Sequence, residues 1–408
     1  MNNAGNKWKK NTALFLCGEA VTVFGSMVVQ YAIIWHIILN TQSGAIVTVF
    51  TVAGFLPMFL ISPFGGVWAD RYNRKYIINA ADGAVALASL VAALLFLAGV
   101  DNAGVLLFAA IVRSFGQGVQ MPAVGSFIPQ IVPEEHLTRV NGIQSSVQSC
   151  SALAAPAISG VLMSFTSMAT LFFLDVVTAA IGISILAFGV KGPKRKISLS
   201  APAGEKPAYF RELKEGISYI RRQKFVLQLL ALAAAFMFFA SPAMLLTPLQ
   251  VTRDFGSEVW RLTAIEITFS VGMMLGGVLI GAWGGFRRHA LTIALSYALF
   301  GLETIGLGLV PAFWAYNGIM LIMGLTIPLY SAPVMTLLQT AVDPAFMGRV
   351  LSVMTMSTSV MVPAGMLVFG PVADLIPIDF LLIGTGLVMA LLSIPFWMGK
   401  TLRAAGGS

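Results

Sequence analysis

Long apolar stretches follow one another along almost the whole chain, separated by short polar or Gly/Pro-marked breaks. A bilayer core is about 30 Å thick, so a helix that rises 1.5 Å per residue needs roughly 20 apolar residues to cross it. The pattern predicts an all-α polytopic membrane protein with twelve transmembrane helices, at 12–39, 45–69, 76–99, 103–128, 138–163, 168–190, 225–252, 259–284, 289–309, 312–338, 347–371 and 378–399.

One break is much longer than the others and divides the predicted helices six and six. We expect an N-terminal six-helix bundle at 1–190, a central loop at 191–224 and a C-terminal six-helix bundle at 225–408. The loop is basic and rich in Pro, Gly and Ser, and a surface helix is expected near Tyr209–Arg222.

The two halves resemble each other at nearly constant spacing. VPEEHLTRV at 132–140 matches VDPAFMGRV at 342–350, GGV at 65–67 recurs at 276–278, and Pro156 corresponds to Pro363. Three matches at almost one offset predict a duplicated, pseudo-symmetric pair of bundles.

Composition and charge support this reading. Apolar residues make up 57% and charged residues only 10% of the chain, against roughly a quarter charged in soluble domains, which excludes a soluble globule. The net charge of +8 comes from Lys and Arg that lie almost entirely on one side of the predicted spans. By the positive-inside rule, both termini are expected in the cytoplasm, and the first apolar segment is expected to be a retained span.

The break after the second span, GVWADRYNRK at 66–75, has the spacing GxxxDRxxRK. It resembles the signature loop of the major facilitator superfamily, whose transporters consist of two six-helix bundles. The resemblance implies that Gly66 permits a close helix approach and that Asp70 faces the positive N-terminal end of span 11. The expected cytoplasmic gate consists of Gly66, Asp70, Arg71, Arg74, Lys75 and Arg349. The alternative is that its cations only anchor the topology.

Ionisable residues inside spans are costly and indicate function. Arg113 lies inside span 4 with Gln117 and Gln120 on the same helical face, and the resemblance implies a role in proton coupling; the alternative is a structural ion pair. Carboxyl groups that change environment can load and release protons. The acidic candidates are Glu19, Asp175, Glu266 and Glu303, each with a structural alternative, and Asp82 is expected to be structural.

A wide cavity for bulky apolar ligands is expected from polar stripes and from the Met and Phe content. Its candidate residues are Gln30, Gln117, Gln120, Gln144, Gln148, Phe236, Phe239, Met273 and Tyr330. The alternative for any single apolar residue is lipid or core packing. Pro156 and Gly160 in AAPAISG resemble a degenerate form of the element typical of exporters in the superfamily.

Several segments resemble bacterial macrolide-efflux permeases: 54–57, 111–116, 132–138, 265–267 and 347–350. The resemblance implies a monomeric exporter of bulky amphipathic compounds in the bacterial cytoplasmic membrane, exchanging its substrate for protons. Siderophore export, lysophospholipid transport and a passive channel or scramblase remain alternatives. We expect no enzymatic activity and no bound cofactor or metal, because the chain lacks catalytic, P-loop and ligand-spacing motifs. We expect no nucleic-acid partner, because no stretch is long and polar enough to fold into a basic water-facing domain.

Overall fold

The computed structural model describes residues 2–190, 209–286, 288–343 and 346–398, without the side chains of 2–7, 70 and 209–214. Most of the predicted central loop therefore lies outside the described residues. The surface helix at Tyr209–Arg222 is present, as the sequence predicts.

The helices of the first half are α1 (Asn2–Thr41), α2 (Gly44–Arg71), α3 (Arg74–Leu97), α4 (Ala103–Ile131), α5 (Leu137–Phe165) and α6 (Met168–Ser184). A 3₁₀ turn at Glu134–His136 precedes α5, and a π-helical turn at Ile185–Gly189 extends α6. The remaining helices are α7 (Tyr209–Arg222), α8 (Lys224–Leu245), α9 (Thr247–Asp254), α10 (Val259–Trp283), α11 (His289–Leu309), α12 (Phe313–Ala341), α13 (Met347–Val372), α14 (Ile378–Leu391) and α15 (Ile394–Met398).

Twelve helical segments of the described chain are long and apolar enough to cross a membrane, which confirms the predicted spans to within a few residues. Spans seven and twelve are each broken in two, a feature that hydropathy does not reveal. Pro248 is the second residue of α9 and Pro395 the second residue of α15. Proline lacks the N–H that would continue the preceding helix, so it begins a new one.

The chain separates into two compact units. The first unit comprises Met1–Asn40 and Val49–Ala201, and α3 packs on α4 and α6 within it. The second unit comprises Thr41–Thr48 and Pro202–Ser408, where the main packing pairs are α10 with α12, α11 with α14 and α8 with α13. The first residues of α2 therefore group with the second unit. The predicted boundaries at 190 and 224 stay a prediction.

Within each unit, a glycine allows two helices to approach closely, and the helix pair is the equivalent one in both units. Gly65 of α2 lies against the carbonyl oxygen of Gly118 in α4, and Gly276 of α10 lies against that of Leu325 in α12. A side chain at either glycine would collide with the backbone of the facing helix. The recurrence of GGV thus reflects the same packing in both units, as a duplicated fold requires.

Gly66 is not the glycine that contacts α4. A Cβ atom at Gly66 would meet nothing within 4 Å, whereas one at Gly65 would lie 2.7 Å from the Gly118 carbonyl oxygen. Successive helical residues point about 100° apart, so only Gly65 faces α4. The close approach of α2 to α4 therefore depends on Gly65, and the role of Gly66 in the gate stays a prediction.

Candidate functional site

A cavity of about 350 Å³ lies inside the first unit, among side chains of α1, α3, α4, α5 and α6. Its polar lining consists of Glu19, Thr22, Ser26, Asp82, Arg113, Gln117, Gln120, Gln144 and Gln148. The apolar part of the wall includes Val23, Met27, Val85, Met121 and Val124. A mixture of amides, carboxyl groups and flexible apolar side chains suits a ligand with both polar and apolar surface.

The two predicted polar stripes meet in this cavity. Arg113, Gln117 and Gln120 contribute from α4, and Gln144 and Gln148 contribute from α5. Residues three, four and seven apart share one face of a helix, which is why spacing alone placed them together. Gln30 of α1, predicted with them, is exposed and is not part of this lining.

A buried ion pair joins Arg113 and Asp175, which were predicted separately as candidates for proton coupling. The Nη1 atom of Arg113 donates to Oδ2 of Asp175 at 2.5 Å, and their side chains are 2% and 1% exposed. Asp175 also accepts hydrogen bonds from Ser89 at 2.6 Å and from Ser26 at 3.2 Å. The second Arg113 nitrogen, Nη2, donates to the carbonyl oxygen of Ser26. Each charge compensates the other. Arg113 thus forms an ion pair and also lines the cavity, and its role in proton coupling stays a prediction.

Asp82 lies in the cavity wall, a placement that the sequence reasoning missed. Its Oδ1 accepts a hydrogen bond from Nε2 of Gln120 at 2.8 Å, and its side chain lines the same cavity as Glu19. A signal existed in the sequence, because Asp82, Val85 and Ser89 are spaced to share one face of α3. Glu19 and Asp82 are thus two carboxyl groups facing one cavity.

The second unit also contains a buried acid, Glu303, which is bonded to a neutral hydroxyl group and not to an arginine. Glu303 of α11 is 8% exposed, and its Oε1 accepts a hydrogen bond from Oγ1 of Thr326 in α12 at 2.7 Å. Its Oε2 has no hydrogen-bond partner in the described part of the chain. Glu266 of α10 is half-buried and engages in further contacts.

The aromatic residues and the methionine predicted for the cavity separate into two groups. Phe236 and Tyr330 are 1% and 5% exposed, and they pack on each other with ring centroids 4.9 Å apart. Both also pack on Tyr297, so they form the aromatic core of the second unit and the core alternative holds for them. Phe239 and Met273 are only partly buried.

Two cations of the predicted gate bind carbonyl oxygens at helix ends. Arg74 donates to Ala69 and Ser126 at 2.9 and 3.0 Å, and Lys75 donates to Ala187 and Val190 at 2.7 and 2.9 Å. Cations at the C-terminal ends of helices stabilise their unpaired carbonyl groups.

The other gate candidates are placed as follows. Arg71 is exposed, while the side chain of Asp70 lies outside the description. Arg349, at the start of α13, pairs with Glu215 of α7 at 3.3 Å and lies over the ring of Phe346.

In the predicted exporter element, Pro156 and Gly160 are buried within an uninterrupted α5.

Comparisons with known proteins agree with this architecture. Residues 15–366 match the family described as the Major Facilitator Superfamily. The chain is 31% identical over 397 residues to Macrolide efflux protein A of Streptococcus pyogenes, covering 96% of each chain. It is 32% identical over 330 residues to Macrolide efflux protein A of Enterococcus faecalis, covering 80% of this chain and 100% of that one.

Among solved structures, a bacterial homolog of the human lysosomal transporter Spinster, inward-facing and unoccupied, superposes with a TM-score of 0.68. The identity is 15%, and 98% of this chain and 97% of that one are covered, which shows the fold.

Proposed function

Because the chain belongs to the major facilitator superfamily and is a membrane transporter, not an enzyme, we propose that it exports bulky amphipathic compounds of the macrolide type in exchange for protons. The substrate would bind from the cytoplasm and leave on the other side as the transporter alternates between two states. We place both termini in the cytoplasm and take the monomer as the working unit.

The observation that carries this proposal is the charge balance of the cavity. Arg113 is the only Lys or Arg among the residues that line it, and Asp175 already neutralises that charge. Glu19 and Asp82 therefore face the cavity without a compensating cation in its lining. Two carboxyl groups that line one cavity can hold a proton, and entry of a substrate would favour its release.

One proton per cycle is enough to drive such export. A charge that crosses about 180 mV releases roughly 4 kcal/mol, which corresponds to about a thousandfold substrate gradient. The Arg113–Asp175 pair would position α4 and α6 around the cavity, and Glu19, with Asp82, would carry the proton. Glu266 and Glu303 remain candidates in the second unit.

The substrate class rests on the relatives and on the cavity wall. Both relatives named above are macrolide efflux proteins, and the cavity wall combines carboxyl and amide groups with flexible apolar side chains, as an amphipathic ligand requires. Siderophores and lysophospholipids are alternative amphipathic substrates. A susceptibility panel with macrolides and dyes, in an efflux-deficient bacterium that expresses the chain, tests drug export. Unchanged susceptibility to every compound would favour siderophores or lysophospholipids.

Glu19→Gln and Asp82→Asn test the carboxyl pair in the same panel. We expect each to reduce resistance at least tenfold at wild-type expression. Glu258→Gln, which removes an exposed acid paired with Arg261, is the matched control and should retain full resistance. Full resistance in both cavity variants would refute the role of the pair.

Proteoliposomes distinguish exchange from passive movement. We expect uptake of the identified substrate into inverted vesicles to stop when the proton gradient is collapsed. Unchanged uptake would instead support the channel or scramblase alternative.

The gate has its own test. Asp70→Asn should abolish transport while the protein remains folded and correctly inserted, because the signature-loop acid would hold one state closed. Full transport by this variant would remove Asp70 from the gate.

A further inference from the structure

A single carboxylate anchors the first turn of α2 to the end of α13. Oδ1 of Asp374, in the turn after α13, accepts a hydrogen bond from the amide of Gly44 at 2.7 Å. Oδ2 accepts from the amide of Ala45 at 2.9 Å and from the hydroxyl of Ser43 at 2.7 Å. The first amides of a helix have no partner within it and form its positive end, so Asp374 caps α2 from 330 residues away in sequence.

Arg253, in the last turn of α9, completes this arrangement. Its Nη2 donates to Asp374 at 2.8 Å, its Nη1 to the carbonyl oxygen of Ala373 at 2.6 Å and its Nε to that of Gln42 at 3.2 Å. Gln42 has a φ of 46°, a left-handed conformation that a non-glycine residue adopts only where its surroundings hold it. The guanidinium thus holds a strained residue of the α1–α2 connection.

The backbones of α2 and α13 touch directly beside this cluster. Thr48 donates to the carbonyl oxygen of Met366 at 3.0 Å, and a Cβ atom at Gly44 would collide with the carbonyl oxygen of Gly370. Thr41–Thr48 accordingly groups with the second unit, although the rest of α2 belongs to the first. A few contacts therefore decide where the beginning of α2 belongs.

We propose that Asp374, Arg253 and residues Gln42–Ala45 form a latch, the Asp374 latch, that holds the start of α2 on α13 in one state of the transport cycle and releases it in another. Arg253 and Asp374 are 26% and 28% exposed, so water can replace each bond when the latch opens. Opening would let the backbone of Gln42 leave its left-handed conformation, which favours the open state. The hydrogen bonds from the amides of Gly44 and Ala45 to Asp374 favour the closed state. This balance is what a reversible latch needs.

The latch presupposes a transporter that changes state, but not the identity of its cargo. Its test therefore uses no substrate. Spin labels are attached at Val49→Cys and Leu375→Cys, two exposed positions next in sequence to latch residues, in a Cys17→Ser, Cys150→Ser background. Electron paramagnetic resonance in nanodiscs then measures the distance between the two labels.

We expect Asp374→Asn to raise the ratio of long to short label distances about fivefold or more. Couplings between two conformational states typically change such an equilibrium by about 5–150-fold. Glu258→Gln, which removes another acid paired with an arginine in the second unit, should leave the ratio unchanged. Gly44→Ala perturbs the same contact sterically without changing charge and should also lengthen the distance. It replaces Asp374→Asn if that variant fails to fold.

A distance unchanged in every folded variant would overturn the latch and leave a static anchor. A failed drug panel with a lengthened distance would instead contradict only the proposed substrate.

Discussion

Two arginine–aspartate pairs in this chain have the same chemistry in opposite surroundings. Arg113 and Asp175 are 2% and 1% exposed in the first unit, whereas Arg253 and Asp374 are 26% and 28% exposed in the second. The first pair is almost completely buried and its other hydrogen-bond partners are uncharged, so separating it would leave two uncompensated charges and the pair is fixed. With water, the second pair can open at little cost. Burial, not pairing, decides which of them holds a structure and which can switch.

The largest effect is expected from breaking the buried pair. Asp175→Asn leaves the Arg113 guanidinium buried and uncompensated, and should lower the free energy of unfolding by about 3–5 kcal/mol. Unfolding in mixed micelles measures this loss. The double variant Arg113→Met, Asp175→Leu should recover most of the stability, because it removes both charges. A single variant as stable as the wild type would contradict the fixed role of this pair.

Glu303 is an intermediate case, a buried carboxyl group held by one neutral donor. Thr326→Val removes that donor and should cost about 1–3 kcal/mol of unfolding free energy. Thr340→Val on the same helix is the matched control, since Thr340 is exposed and bonds only its own helix backbone. Equal losses in the two variants would show that the Glu303 contact contributes nothing specific.

Breaking the exposed pair should change conformation more than stability. Arg253→Gln is expected to lower the free energy of unfolding by about 1 kcal/mol or less, the usual value of an exposed ion pair. The distance between labels at positions 49 and 375 should nevertheless increase. A loss of stability as large as that of Asp175→Asn would erase the contrast between the two pairs.

The smallest effect is expected from mild acidification. Burial would raise the pKa of Asp374, but hydrogen bonds from the amides of Ala45 and Gly44, and then from Ser43 and Arg253, bring it below its ordinary 3.8. A lowered pKa means that the stabilisation is present above the ordinary value and is lost only as the pH falls through the lowered one. In a Glu19→Gln, Asp82→Asn background, which removes the two proposed proton carriers, label distances at pH 8 and pH 5 should therefore agree. A transition between them would contradict this ionisation state.

Part of the candidate site could be predicted from periodicity alone. Arg113, Gln117 and Gln120 reach one cavity because helical spacing puts them on one face, and Gln144 and Gln148 follow the same rule on α5. Periodicity within α3 would also have grouped Asp82 with Ser89, but its place near a span end favoured a structural role.

Contacts between helices were not predictable in this way. Asp175 lies on α6 and Arg113 on α4, and no local pattern shows that their side chains meet. Likewise, Asp374 stands in an ordinary polar turn, and only packing of α2 on α13 brings it to the amides of Gly44 and Ala45.

The sequence by itself determined the twelve spans, their duplication and the membrane class of this protein. Each of these depends on properties summed over neighbouring residues: the hydropathy of about 20 residues and the 3.6-residue turn. Tertiary structure alone decided which acids are neutralised, which glycine packs closely and where the start of α2 is anchored. Those outcomes depend on distances of a few ångströms between segments far apart in the chain, where the strength of a charge or hydrogen bond is set by its partner and its burial.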